Sequence, residues 1–208
     1  MKTNTTDSNI QFIDFSSFDE LIQHPKILVN LLTNYCNIFG EPDVWNEQYS
    51  IEDVLEKLEH ELSGCAIMRL CIDNITNEVI GFCWAQLLNG NQIITAIQSI
   101  HFYQKYRTEK IDESLRTLIG DESSIYVHDL GINKSYRGKI PLEQLICPVV
   151  EKLATLAQTR NLVFWSVTDT CIAWLAKKVG INIALTLGKM QFFEGEFPTR
   201  DVLESITA

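Results

Sequence analysis

The chain has 208 residues, of which 46% are hydrophobic, and a formal net charge of −10 at pH 7. That length fits one domain, residues 1–208, whose core is large enough to be stable without disulfides. The acidic balance argues against a nucleic-acid partner, whose phosphates would be repelled. It is compatible with a cationic amine substrate, but the same charge is explained more simply as a means of keeping the protein soluble. No hydrophobic run approaches the length of a membrane span, so we expect no membrane association.

Signals of location and of metal binding are also lacking. Residues 1–9 are polar, without the apolar core of a signal peptide, so we predict a frayed start and a cytoplasmic protein. The histidines are not spaced as zinc ligands, and we predict no metal site. The cysteines include no CxxC pair and lie mostly in apolar runs, which indicates reduced core thiols. They are Cys36, Cys65, Cys71, Cys83, Cys147 and Cys171.

The first elements are a strand and two helices. Residues 10–15 are a predicted first strand, and residues 17–24 suit a short helix stopped by Pro25. Apolar residues then recur at helical spacing from Lys26 to Phe39, before Gly40.

A third helix and a β-hairpin follow. Ser50 is an N-cap with Asp53 three residues on, and the apolar face of this helix ends at Leu62. We interpret its acidic side as a solvated face, formed by Glu52, Glu56, Glu59 and Glu61. Residues 65–72 and 78–85 are predicted strands joined by a turn.

Residues 89–122 form an extra segment before the next strand. Residues 93–103 fit a helix or a strand equally well, because their length and β-branched content do not decide. Leu115, Leu118 and Ile119 predict a short amphipathic helix after them. The segment is either an insertion near a substrate site or a surface elaboration that includes a homodimer contact.

The most informative stretch runs from Ser124 to Thr168. It reads as a strand (125–132), a loop with three cations (133–139), a long helix (141–159) and a buried strand (162–167). A loop that meets a helix N-terminus is a natural anion site, because unpaired amides and the helix dipole point outward there. Pro148, inside the helix, predicts a kink. The helix should bury a stripe of Leu142, Leu145, Ile146, Val149, Leu153 and Leu156.

The C-terminal part completes an α/β pattern. Residues 169–179 are a predicted helix closed by Gly180, and residues 181–187 and 189–193 are predicted strands. The tail, residues 198–208, is predicted to form a last helical turn.

The loop resembles the acetyl-CoA-binding motif of the GCN5-related N-acetyltransferase (GNAT) superfamily. In that family an apolar strand end leads through a short turn to Arg/Gln-x-x-Gly-x-Gly/Ala, which wraps the pyrophosphate of acetyl-CoA at a helix N-terminus. Here Ile132 ends the strand, and Tyr136 precedes the pair Arg137-Gly138. The motif is degenerate, because Ile140 and Leu142 stand where the family has small residues.

The resemblance extends to the element order and implies an α/β (α+β) GNAT-like fold, with a mixed, mostly antiparallel, twisted sheet flanked by helices. It also implies an N-acyltransferase with acetyl-CoA or another acyl-CoA as co-substrate and a small-molecule or peptide amine as acceptor. The cofactor-binding residues would be Ile132, Lys134, Arg137, Gly138, Lys139 and Ile140. Because Ile140 precedes the apolar stripe, we expect Ile140→Gly to cost little stability and to relieve crowding over the amides.

Acyl transfer to an amine needs a proton acceptor and a donor for the leaving thiolate. His128 and Asp129 are the candidate bases, and strand alternation predicts that only one of them faces the acceptor. His128 is alternatively a core histidine. The tyrosine that the family often uses as the acid would fall at Ala176, which cannot donate a proton. Trp174 and Cys171 lie nearby.

Three hypotheses remain open at this point. The first is an N-acyltransferase, and the second is a catalytically impaired GNAT-fold binding or regulatory module. The third is an acyltransferase that draws its acid and base from the extra segment, from His101, Tyr103 or Tyr106. Other aromatic residues line an acceptor pocket or belong to the core, namely Trp45, Tyr35, Trp84 and Tyr103.

Overall fold

The computed structural model describes residues 9–42, 47–168 and 170–198. The first elements are β1 (Ile10–Phe15), α1 (Phe18–Ile22), α2 (Pro25–Phe39), α3 (Ile51–Glu61), β2 (Ala66–Asp73) and β3 (Glu78–Leu88). Next come α4 (Gly90–Ser99), α5 (His101–Tyr106), α6 (Glu109–Ile119), β4 (Ser124–Ile132) and α7 (Leu142–Ala157). The last are β5 (Asn161–Val167), α8 (Cys171–Lys178), β6 (Asn182–Leu187) and β7 (Met190–Glu196). A 3-10 turn, Lys134–Tyr136, lies between β4 and α7.

Local capping explains where several helices begin. Ser50 and Asp53 form a reciprocal capping box at the start of α3, as the sequence predicts. Asn89 and Gln92 form a second box at α4, which settles the ambiguous segment 93–103 as helix. Pro25 is the first residue of α2, where its missing N–H needs no partner.

The strands are hydrogen-bonded in the order β1-β2-β3-β4-β5-β7-β6. The sheet is mixed and mostly antiparallel: β1 pairs antiparallel with β2, and β7 pairs antiparallel with both β5 and β6. The two central strands, β4 and β5, are parallel, with Ile125 opposite Leu162 and Tyr126 opposite Val163. The predicted fold class and the parallel central pair joined by a long helix are therefore confirmed.

The chain divides into two compact units. The first comprises residues 1–85 and 128–149. Its core is built from α1, α2, α3, β2 and β3, and Tyr35 lies at its centre, 1% exposed and stacked on Phe82 at 5.7 Å between ring centroids. Gly131 on β4 permits this packing, because a Cβ there would lie 2.5 Å from the Phe82 ring.

The second unit comprises residues 86–127 and 150–208. In it, α4, α5 and α6 bury apolar residues together with side chains of β4, β5 and β7. Tyr103 is fully buried, with its ring edge-on to Phe192, and its hydroxyl donates to Asp112 Oδ1 at 2.8 Å. The predicted amphipathic helix over residues 115–119 is confirmed as α6.

Some predictions of burial are wrong. Leu156, assigned to the buried stripe of α7, is 67% exposed, because it lies in the last turn of that helix. Cys171 is exposed, since it opens α8, whereas Cys71, Cys83 and Cys147 are buried as expected. In the described residues every cysteine is a free thiol. The predicted frayed start and the tail helix fall mainly outside the described residues.

Two further points concern the helices. The helix α7 is continuous through Pro148, and the predicted kink stays a prediction. No helix in the described ranges is long and apolar enough to cross a bilayer.

Candidate active site

The loop after β4 is fixed at its first residue. The Asn133 amide donates to the Ile80 carbonyl of β3 at 2.9 Å, and its side-chain Nδ2 donates to Asn34 Oδ1 at 3.0 Å. Asn133 Oδ1 in turn accepts from the Ser135 amide at 3.1 Å, which caps the 3-10 turn. The asparagine therefore ties the loop to α2 and β3 before the cationic residues begin.

Tyr136 fixes the middle of the loop. Its hydroxyl donates to Asp73 Oδ2 at 2.5 Å, and this hydrogen bond, with some burial, raises the pKa of Tyr136 to about 12. Asp73 ends β2 and is itself held by the Ile75 amide at 2.7 Å. The loop is therefore braced from the β2–β3 turn as well as from β4.

The end of the loop presents unpaired amides. Gly138 has φ +78°, a conformation that other residues adopt only with strain. Among the described residues, the amides of Gly138, Leu142 and Glu143 donate to no backbone carbonyl. The amides of Lys139 and Ile140 donate to the Tyr136 carbonyl instead. Two of these N–H groups, those of Leu142 and Glu143, open a helix of 16 residues, where they are suited to bind an anion.

The three cations of the loop are placed differently. Arg137 donates to Glu41 through both terminal nitrogens, at 2.9 and 2.5 Å, and to the Ile132 carbonyl through Nε at 3.2 Å. Lys134 and Lys139 are exposed. The lysines are thus available to an anion, whereas Arg137 has to exchange Glu41 for it.

The side chain of Ile140 is buried, with 4% of its surface exposed. The premise that Ile140→Gly costs little stability is therefore wrong, because Ile140 belongs to the core although it precedes the first residue of α7. Its role at a cofactor stays a prediction.

A buried ionic cluster lies in the same unit. Its centre is Glu61, the last residue of α3. Glu61 Oε1 accepts from Lys57 Nζ at 2.8 Å and lies 3.1 Å from His128 Nδ1, while Oε2 accepts from Trp84 Nε1 at 2.8 Å. These contacts outweigh the effect of burial and lower the pKa of Glu61 to about 2, chiefly through His128 and Lys57.

Asp129 is the second carboxylate of the cluster, and its side chain is 9% exposed. Its Oδ2 lies 3.2 Å from Lys57 Nζ and accepts from the Tyr35 hydroxyl at 3.2 Å. No donor in the described part of the chain contacts Oδ1. Burial, reinforced by Glu61, raises the pKa of Asp129 to about 6, although Lys57 and His128 act in the opposite direction. An acid of this strength changes protonation close to neutral pH, as a general base does.

The cluster corrects two predictions. His128 and Asp129 were expected on opposite faces of β4, but both contact side chains of α3. The long side chains of Lys57 and Glu61, one helical turn apart, bridge the two positions. Glu61 is also not part of a solvated acidic face, whereas Glu52, Glu56 and Glu59 are exposed as expected.

Sequence reasoning missed Lys57 and Glu61, although a signal existed. Lys57 follows Val54 by three positions and Glu61 follows Leu58 by three, so both charges lie along the apolar stripe of α3. Glu41 and Asp73 carried no comparable signal, because their partners in the loop are far away in the sequence.

Comparison with known proteins gives the fold. The structure of NAA60 from Arabidopsis thaliana in complex with acetyl-CoA matches with a TM-score of 0.53 and 15% identity, over 90% of this chain and 98% of that chain. The aminoglycoside 6'-N-acetyltransferase AAC(6')-Ih from Acinetobacter baumannii matches with a TM-score of 0.52 and 11% identity, over 86% and 94%. A protein from Desulfovibrio desulfuricans assigned to the GNAT acetyltransferase family matches with a TM-score of 0.51 and 9% identity, over 90% and 98%.

The chain has the GNAT fold. No protein-family model matches its sequence, and neither does any curated protein. The sequence resemblance to GNAT enzymes is thus confirmed at the level of the fold, and the roles of individual residues have to be argued from the site.

Ala176, at which the sequence resemblance predicts the tyrosine acid to be missing, is buried on α8. Trp174 is 60% exposed, and its ring lies under Lys178 Nζ. In the extra segment, the Tyr103 hydroxyl is already engaged by Asp112. The predictions that Tyr35, Trp84 and Tyr103 belong to the core are confirmed, and Trp45 lies outside the described residues. Within those residues no group of three or more side chains is arranged to hold a metal ion.

Proposed function

We propose that the chain is an N-acyltransferase that uses acetyl-CoA or another acyl-CoA and acts on a primary amine of a small molecule or peptide. The observation that carries this proposal is the braced loop after β4 in the GNAT fold. The amides of Leu142 and Glu143 open α7 without a backbone acceptor in the described residues, and a glycine at positive φ lies just before them. Every helix leaves its first amides unpaired, but here two exposed lysines, Lys134 and Lys139, lie in the loop that leads to them.

The loop residues fit the diphosphate of an acyl-CoA. The amides of Gly138, Leu142 and Glu143 would bind its oxygens, and Lys134 and Lys139 would add charge from the exposed side. Arg137 would join them once it exchanges Glu41 for the ligand. Ile132 and Ile140 support the site rather than contact the charge, because the Ile132 carbonyl holds Arg137 and the Ile140 side chain anchors the loop in the core.

Asp129 is the residue that we propose as the proton acceptor. In the proposed reaction the C–S bond of the acyl-CoA thioester breaks and a C–N amide bond forms. Starting from the ammonium form of the acceptor, two protons leave the nitrogen: one is taken by the base, and one ends on the thiolate as CoA thiol. Asp129 has an oxygen without a donor in the described region and a pKa raised to about 6, so it is mostly ionised at pH 7 and accepts a proton readily. His128, the preceding residue, lies 3.1 Å from Glu61 through its Nδ1 and packs in the same cluster.

The acceptor is proposed to be cationic in water. The chain carries a net charge of −10, and an amine arriving as an ammonium ion would be attracted by this field. It has to lose a proton before it can attack, which is the step that a carboxylate near neutral pH assists. The cytoplasmic location and the homodimer stay predictions.

A second candidate function is a binding or regulatory module. Ala176 at the tyrosine position and the occupation of Arg137 by Glu41 favour it. Such a module would bind CoA without turnover, or not at all.

The test is the release of free CoA thiol from acetyl-CoA, measured with a panel of primary amines. The enzyme proposal predicts amine-dependent release that falls at least tenfold in Asp129→Asn, with Asp121→Asn, on an exposed loop, as the matched control. Binding of acetyl-CoA without release for any amine would favour the regulatory module and contradict the enzyme.

A further inference from the structure

The ionic cluster contains one lysine between two carboxylates. We propose that Lys57 is a positioning residue for the proposed transferase. Its ammonium keeps Asp129 ionised and ready to accept a proton, whereas the carboxylate of Glu61 favours the protonated form of Asp129. The activity readout of this inference rests on the proposed function, but the charge state of Asp129 can be measured without any turnover.

The geometry places one cation between two competing anions. Lys57 Nζ lies 3.2 Å from Asp129 Oδ2 and 2.8 Å from Glu61 Oε1, and the three side chains are largely buried. Without the ammonium, two carboxylates would share a poorly solvated space, and the weaker acid would take up a proton. Glu61 has Trp84 and His128 as further partners, so Asp129 is the carboxylate that would be neutralised.

Lys57 is the main positively charged group that stabilises the ionised form of Asp129. Among the described residues, Lys57 is the lysine or arginine within ion-pair distance of Asp129. The titratable groups that influence Asp129 or are influenced by it come from α2, the segment before α3, α3 itself, β3 and β4. They are Tyr35, Tyr49, Lys57, Glu61, Cys83 and His128.

The same two carboxylates also determine the protonation state of Lys57. Burial disfavours its ammonium, but Asp129 and Glu61 outweigh burial and raise the pKa of Lys57 well above its usual value. Lys57 therefore stays charged over the whole working range, and a constant charge is what a supporting group needs. A contact at 3.2 Å in a partly desolvated site is worth more than the free energy of one pKa unit, so its loss should move Asp129 by at least one unit.

Two substitutions of the same helix should act in opposite directions. Lys57→Met removes the ammonium but keeps an apolar stem of similar length, and it should raise the pKa of Asp129 by at least one unit. Glu61→Gln removes the competing carboxylate and should lower it. Lys57→Arg retains the charge and should stay close to the wild type. Lys110→Met, on the exposed side of α6, is the matched control.

The first readout is the pH profile of kcat/KM. In Lys57→Met the acid limb of this profile should move up by at least one pH unit, so that kcat/KM on the acid side of the limb is about tenfold lower than in the wild type. In Glu61→Gln the limb should move down, and in Lys57→Arg and Lys110→Met it should stay within a few tenths of a unit. If Lys57 and Glu61 had only a structural role, Lys57→Met and Glu61→Gln would both lower kcat/KM at every pH and would not move the acid limb in opposite directions.

The second readout is carbon-13 NMR of the aspartate carboxyl groups, assigned with Asp129→Asn and accompanied by circular dichroism of each variant. If the wild type shows no transfer, the proposed function fails while this titration still tests Lys57. An unchanged Asp129 titration in folded Lys57→Met would overturn the inference. If Lys57→Met does not fold, an upward or absent shift in Glu61→Gln would overturn it equally.

Discussion

Replacement of Asp129 by asparagine should change how the stability of the protein depends on pH. The pKa of Asp129 is raised from 3.8 to about 6 in the folded state, chiefly by burial. The folded state therefore holds the proton more tightly than the unfolded state does. As the pH rises from the pKa of the unfolded state, 3.8, to that of the folded state, about 6, the unfolded state loses its proton first. The wild type therefore becomes less stable relative to a variant without the carboxyl group.

The magnitude follows from the width of the window. Each pKa unit corresponds to about 1.4 kcal/mol, and the part of the shift that lies between pH 4 and pH 7 amounts to about 2 kcal/mol. Asparagine is a suitable replacement because its carbonyl can still accept from the Tyr35 hydroxyl, and Lys57 keeps its pair with Glu61.

The assay is urea unfolding followed by circular dichroism at half-unit steps from pH 4 to pH 8. The free energy of unfolding of Asp129→Asn minus that of the wild type should rise by about 2 kcal/mol across pH 4 to pH 7 and level off above. The exposed control Asp121→Asn should give a flat difference. A flat or falling difference for Asp129→Asn would refute the reasoning that burial dominates at this carboxyl group.

Substitutions at three further positions test the loop. Gly138→Ala should lower the free energy of unfolding by about 1 kcal/mol, because φ is +78°, and should weaken CoA binding in calorimetry. Glu41→Gln should tighten CoA binding by roughly two- to fivefold, because it releases Arg137 from an ion pair worth about 0.5–1 kcal/mol. An unchanged affinity would mean that Arg137 does not reach the ligand. Ile140→Ala should cost about 2–4 kcal/mol in urea unfolding and Ile140→Val about 1 kcal/mol, and a loss for Ile140→Ala below about 1 kcal/mol would show that the site is not core.

The sequence predicts most of the fold because each element carries its own local signal. The capping box of α3 and the helical spacing of α2 are readable within one turn, and both are confirmed. The segment 93–103 was ambiguous because its β-branched residues fit either period. The reciprocal cap of Asn89 and Gln92 decides it, and this pattern was present in the sequence.

The site was less predictable, because its charges are held by partners distant along the chain. Asp129 is a candidate from its place on the strand β4, but its neighbours Lys57 and Tyr35 come from the helices α3 and α2. Arg137 was expected to face a phosphate, yet Glu41, which is 96 positions away in the sequence, occupies its guanidinium. Local periodicity carries no information about pairings of this kind.

The central claim is that the loop after β4 binds the diphosphate of an acyl-CoA. Its most direct test is an isothermal titration of the wild type with acetyl-CoA at fixed low salt, alongside Arg137→Ala and the off-loop control Lys110→Ala. The account predicts saturable binding in the wild type and the control, weakened by at least about 1 kcal/mol in Arg137→Ala through loss of a charge-assisted contact. No binding in any of the three proteins would contradict it.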